Sequence, residues 1–91
     1  MRTFIIERQI PGAGQLTEAD LRGVAAASNK AIAELARPYT WLHSYVAGDR
    51  FYCVHRAENA ETICEHARLG DFPVDRVTEV SAVIDGSWAA T

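Results

Sequence analysis

W-L-H-S-Y-V-A-G-D-R-F-Y-C-V-H-R, residues 41–56, is the stretch on which the fold turns. Two runs rich in aromatic and β-branched residues flank Gly48-Asp49, and a two-residue loop with glycine first suits a type II′ hairpin. The spacing predicts antiparallel strands over 40–47 and 50–56. The same stretch holds two of the three histidines, two of the three tyrosines, and one each of the two cysteines and two tryptophans, so any chemistry of the chain is expected to touch it.

Working outward, Arg2–Gln9 reads as a strand through Phe4, Ile5 and Ile6, stopped by the turn pair Pro11-Gly12. Gly12-Ala13-Gly14 reads as a flexible loop. Thr17 opens a helix: its hydroxyl can cap first-turn amides, Asp20 stands three residues on, and Glu18 and Asp20 suit the positive end. Leu21, Val24, Ala25, Ser28, Ile32 and Leu35 recur at helical spacing, and Pro38 predicts a stop at Arg37. Asn59 predicts the cap of a second helix, with Ile63, Cys64 and Ala67 inward and Gly70 as its left-handed end. Phe72-Pro73 leads to a last strand over 76–84, and the residues beyond Asp85 read as a tail in which Trp88 can dock.

The order β-α-β-β-α-β, with right-handed crossovers, gives an α+β, ferredoxin-like fold. It predicts one domain over 1–91, with a four-stranded antiparallel sheet of order 4-1-3-2 and both helices on one face. Of the 91 residues 48% are hydrophobic, which argues against disorder; the formal charge is -3 with the signs interspersed. Without a cationic stripe to displace counterions, no nucleic-acid partner is expected. No apolar run approaches membrane-spanning length, so no membrane partner is expected either. The apolar core near Met1 is too short for a signal peptide. Two cysteines without C-x-x-C spacing make no disulfide scaffold, and a cytoplasmic location is the default expectation.

A two-residue turn fixes the hairpin register. Val46 should pair with Phe51, Ser44 with Cys53 and Leu42 with His55 on the face toward the helices. Tyr45 should pair with Tyr52, His43 with Val54 and Trp41 with Arg56 on the open face. Phe4 and Ile6 in the first strand, and Val80, Ala82 and Ile84 in the last, should face the helices. Glu7, His43, Tyr45, Tyr52 and Glu79 then gather on the open face. There His43 and Glu7 suit a metal shell or an acid–base pair, while Trp41, Tyr45 and Tyr52 suit a flat ligand or, as a blander reading, a subunit interface. An ion pair with a neighbouring arginine is the plain alternative for Glu7. His55 reads as a partly buried strand histidine. His66 reads as a helix-end cation, and both cysteines as small core residues.

F-I-I-E-R in the first strand, the hairpin W-L-H-S-Y-V-A-G-D-R-F-Y-C-V, E-H-A-R-L-G and F-P-V-D-R-V together resemble a small ferredoxin-like domain family of unknown function that includes actinomycete nickel-binding proteins. The resemblance covers nearly the whole chain. It implies a homodimer and, in the nickel-binding members, metal held by histidine with oxygen ligands. His43 in H-S-Y and His66 match histidines of those members, whereas Glu7-Arg8 stands where they carry a first-strand histidine. The expected metal set is therefore His43, Glu7 and His66, holding nickel or another divalent transition metal in a small binding protein without catalysis. Two alternatives stand beside it. One is an enzyme of the dimeric α+β barrel type using His43 and Glu7. The other is a non-catalytic structural dimer.

Overall fold

The computed structural model describes residues 1–90. Its elements are β1 (Arg2–Gln9), α1 (Glu18–Leu35), β2 (Tyr39–Ala47), β3 (Arg50–Ala57), α2 (Ala60–Gly70) and β4 (Arg76–Glu79). Short 3-10 turns lie at Ala13–Gln15 and Gly86–Ala90. The sheet is antiparallel in the order β2-β3-β1-β4, which is the expected ferredoxin-like arrangement. Phe4, Ile6, Phe51, Cys53, Ala57 and Ile63 form its buried core, with Leu21 and Val24 of α1 packed against them.

Local chemistry fixes the helix ends. Thr17 accepts from the Asp20 amide at 3.1 Å, and Asp20 accepts from the Thr17 amide at 3.0 Å, a reciprocal capping box. Asn59 accepts from the Thr62 amide at 2.9 Å. α1 ends with Ala36 in the left-handed region. α2 ends not on Gly70 but one residue later, with Asp71 at φ 56. The requirement at Gly70 is steric: an added Cβ would lie 2.3 Å from the Phe72 ring.

The hairpin turn is as expected, with Gly48 at φ 61 and Asp49 at negative φ, the type II′ pattern. Its tip is not free. Gly48 O accepts from Gly14 N at 2.7 Å, Asp49 O from Ile10 N at 2.8 Å, and Asp49 Oδ1 from Gly12 N at 2.9 Å. The segment read as a flexible loop is thus tied to the turn, with Ala13 buried.

Two strand phases depart from the simple alternation. In β2 the pairs Val46–Phe51, Tyr45–Tyr52, Ser44–Cys53 and His43–Val54 hold, but an irregularity between Trp41 and His43 inserts one residue. Trp41 therefore pairs with His55, and Tyr39 with Ala57. The expected pairs Leu42–His55 and Trp41–Arg56 do not form, and Trp41 leaves the open face for the helix side. In β4 the strand is only four residues long. Asp75 sets its phase: its amide donates to Glu7 O at 2.9 Å, and its carboxylate accepts from Gln9 N at 2.5 Å. Val77 then pairs with Ile6 and Glu79 with Phe4, so Glu79 is on the helix side, 3.7 Å from Arg2. Val83 and Ile84, expected in the strand, lie beyond it and are exposed.

Two glycines separate helix propensity from packing. Gly23, inside α1, has nothing within 4 Å of an added Cβ. Gly23→Ala is expected to stabilise the fold by about 0.5–1 kcal/mol. Gly70→Ala gains the same propensity but displaces the Phe72 ring, and is expected to destabilise by roughly 1–3 kcal/mol. Urea unfolding of the two variants beside the parent checks the opposite signs.

Candidate functional site

On the open face, His43 is exposed at the centre of β2 and meets Tyr45 edge-on, with ring centroids 5.0 Å apart. Glu7 stands two strands across and two residues along from it, about 12 Å by strand spacing and rise, between its partners Tyr52 and Arg76. Ile5 and the 60%-exposed Tyr45 share this surface. The structure thus places His43 and Glu7 on one face, as expected, with Tyr45 and Tyr52 beside them. It does not bring His66 to them: that histidine projects from α2 into the space on the opposite side of the sheet.

A second cluster fills that space. His55 and His66 are each only 1% exposed, with ring centroids 5.1 Å apart. Tyr39 Oη lies 2.5 Å from His55 Nδ1. Burial raises the Tyr39 pKa, so the phenol keeps its proton and donates it to Nδ1. His66 is stacked between Tyr39 and Phe72, at 4.8 and 5.7 Å between centroids. Its Nε2 lies 3.2 Å from Ser28 Oγ and 3.4 Å from Ser28 O. A carbonyl only accepts, so Nε2 carries the proton there and Nδ1 keeps a lone pair. Among the described residues that Nδ1 is the one buried side-chain polar atom without a partner.

Arg8 completes the cluster. β1 alternates Phe4, Ile6, Arg8 toward the helices, and Arg8 is 3% exposed. One nitrogen donates to Pro73 O at 2.6 Å, and the guanidinium lies 5.3 Å from the Phe72 ring centre. Among the described residues no carboxylate pairs with it. From the sequence, Arg8 is expected only as one of several exposed counter-ions for Glu7. The signal for its burial was the same alternation that buries Phe4 and Ile6. Cys53 is buried as expected, whereas Cys64 is exposed. His66 takes the inward place, so it is a packed residue of the helix rather than an exposed cation at its end.

Arg8, Ser28, His55 and His66 line a cavity of about 80 Å³, open on one side, with Val24, Phe51, Phe72 and Trp41 among its walls. Trp41 is held there by its indole N–H, which donates to Ser44 Oγ at 3.0 Å. Desolvation, then the charges of His66 and Arg8, lowers the His55 pKa to about 3. Desolvation also lowers that of His66, opposed by its bond to Ser28. Both imidazoles are neutral at pH 7.

The profile of the family described as "Nickel responsive protein SCO4226-like" matches residues 4–80. The chain belongs to this nickel-responsive, SCO4226-like family. The crystal structure of SCO4226 from Streptomyces coelicolor A3(2) superposes with a TM-score of 0.75 at 15% sequence identity, covering 90% of this chain and 99% of that one. At that identity the likeness is one of fold. No curated protein sequence matches the chain. No helix among the described residues is long and apolar enough to cross a membrane.

The family name brings nickel into question, and the donor groups test it. Among the described residues no set of three or more His, Cys, Asp or Glu side chains is gathered to hold an ion. The buried imidazoles have the right chemistry but sit beside an unpaired cation, and no carboxylate lines their cavity. The described residues of one chain therefore do not gather a complete metal shell.

The neutral imidazoles make stability depend on pH. Folding holds the His55 pKa near 3 against an ordinary 6.5, so between these values the unfolded chain binds more protons. Stability is full above pH 6.5 and falls as pH drops toward 3, with a slope approaching about 1.4 kcal/mol per pH unit for one proton. His66 adds to it with the same sign. Urea unfolding between pH 7 and 5, above the range where carboxylates titrate, should show this slope. His55→Phe should reduce it.

Proposed function

We propose that this protein is a small nickel-binding, nickel-responsive protein that acts as a homodimer through the open face of its sheet. His43 and Glu7 are its metal-facing groups. The reading is carried by one observation: His43 and Glu7 share an exposed sheet face, and no third donor joins them among the described residues. A two-fold interface across that face doubles the donor set to two imidazoles and two carboxylates. Nitrogen and oxygen donors in that number suit Ni(II) or Cu(II). The exposed apolar surface of Ile5 and Tyr45 on this face, with Val83 and Ile84 beyond β4, gives association an apolar driving force. His66 takes no part in this reading, because it is buried on the other side and its Nε2 is engaged by Ser28. In the enzyme alternative, His43 and Glu7 act over a small substrate enclosed by the same dimer.

Calorimetric titration of metal-free protein with nickel, zinc and copper, beside His43→Ala and Glu7→Gln, tests this. Light scattering supplies the mass. We expect a dimer that takes up about one nickel per two chains, as a two-fold site requires. Either substitution should weaken binding by at least about tenfold. Nickel uptake no greater than that of an unrelated domain overturns the metal reading. Uptake unchanged in both variants moves the site elsewhere on the chain.

A further inference from the structure

We propose that the cavity between sheet and helices is a binding site for a small organic carboxylate, held by Arg8 and bordered by His66 and His55. The site is separate from the open-face metal site and needs neither the metal nor the dimer.

The argument begins with the charge. A guanidinium carries five N–H donors and cannot shed its proton. Arg8 is buried, yet it has one carbonyl and one aromatic face for partners and no acid among the described residues. Taking a cation out of water costs several kcal/mol unless an opposite charge or a full set of hydrogen bonds offsets it. Here the remaining donors border a cavity that opens to solvent. A planar fork with free donors, facing an open cavity, is the arrangement that receives a carboxylate edge-on.

The second observation is independent of Arg8. His66 lines the same cavity and has an unpartnered Nδ1 although it is 1% exposed. With Nε2–H turned to Ser28, Nδ1 is an acceptor. No accessible surface of that atom reaches the cavity, so the ring gives the ligand a neutral wall beside Arg8 and a reporter of binding. The charge that a ligand must meet is therefore that of Arg8, and a carboxylate meets it. The cavity holds no negative charge of its own to repel such a ligand, because no Asp or Glu lines it. Its walls are otherwise apolar, so the ligand body is hydrocarbon. About 80 Å³ is roughly half the volume that accepts benzene, which limits the enclosed part to about two to four carbons. A longer tail can leave through the open side.

The test is a titration of the whole protein, followed by NMR of the histidine ring protons and by thermal unfolding. The probes are acetate, propionate, butyrate, lactate and 3-hydroxybutyrate, with the matching amides. We expect the acids to shift the His66 and His55 resonances and raise the melting temperature, and the amides to do neither. Arg8→Met keeps the bulk and removes the charge, and should weaken the acids about 30-fold or more. Because the comparison of acid with amide is made on the parent chain, it stands even where Arg8→Met folds poorly. Amides that bind as tightly as acids, or acids that bind Arg8→Met unchanged, overturn the proposal. So does a parent chain that shifts with no acid at millimolar concentration. His43→Ala and nickel should leave acid binding untouched, so the two proposals fail independently.

Discussion

One inserted residue in β2 governs the arrangement of everything on the helix side. Strand side chains alternate between faces, so an extra residue reverses the phase of all that precedes it. Below the irregularity between Trp41 and His43, Trp41 and Tyr39 turn toward the helices and join His55 and Ala57 of β3. Above it, His43 and Tyr45 keep the open face. A regular strand would send Trp41 and Tyr39 into solvent, leaving His55 without its hydroxyl and His66 without one of its two stacking rings. The bulge thus provides both a polar partner and an aromatic wall in the space where the buried imidazoles stand.

That space is costly to build. Arg8, His55, His66, Thr62 and Ser28 are buried together beside a small apolar core, and each polar group lost from water must find a partner. Most do. Tyr39 serves His55, Ser28 serves His66, Asn59 serves Thr62, and Pro73 O with the Phe72 face serves Arg8. Phe72 is common to two of these environments, stacking on His66 and lying under Arg8. It reaches this place because Gly70 has no Cβ to block it. The chain after α2 is therefore part of the site, although it contributes no reactive group.

Much of this frame could be read from the sequence because it is written in local chemistry. The capping box at Thr17 and Asp20, the Asn59 cap and the Gly48-Asp49 turn each act within a few residues. The turn then carries the hairpin register as far as His43. What stayed hidden depends on contacts distant in sequence. The bulge has no motif of its own, so counting by twos put Trp41 on the wrong face. The β4 phase is set by Asp75 reaching Glu7 and Gln9, 66 residues from the latter. Helix-dipole reasoning reads His66 as a cation beside the apolar stripe near the helix end, yet α2 turns that position fully inward against Tyr39. Of the candidate site, the pairing of His43 and Glu7 on one face was legible. The cluster around Arg8 was not, because a strand arginine is ordinarily an exposed residue.

The sheet also divides the chain's histidines by electrostatics. Neutral buried imidazoles are good metal ligands in isolation, and His55 and His66 stand close together. Arg8 lines the same cavity with no acid beside it. A divalent ion about 6 Å from a guanidinium meets a repulsion of roughly 5 kcal/mol at an effective dielectric of about 20, before the cost of its own desolvation. Two imidazoles without a carboxylate have little to set against that. On the other face the balance reverses, since Glu7 brings negative charge, water supplies spare ligands, and His43 is exposed to meet an ion. The charge that closes the covered side to cations is the same charge that makes it hospitable to an anion. Under the two proposals above, one arginine in β1 reserves the cavity for an anion and leaves metal to the open face.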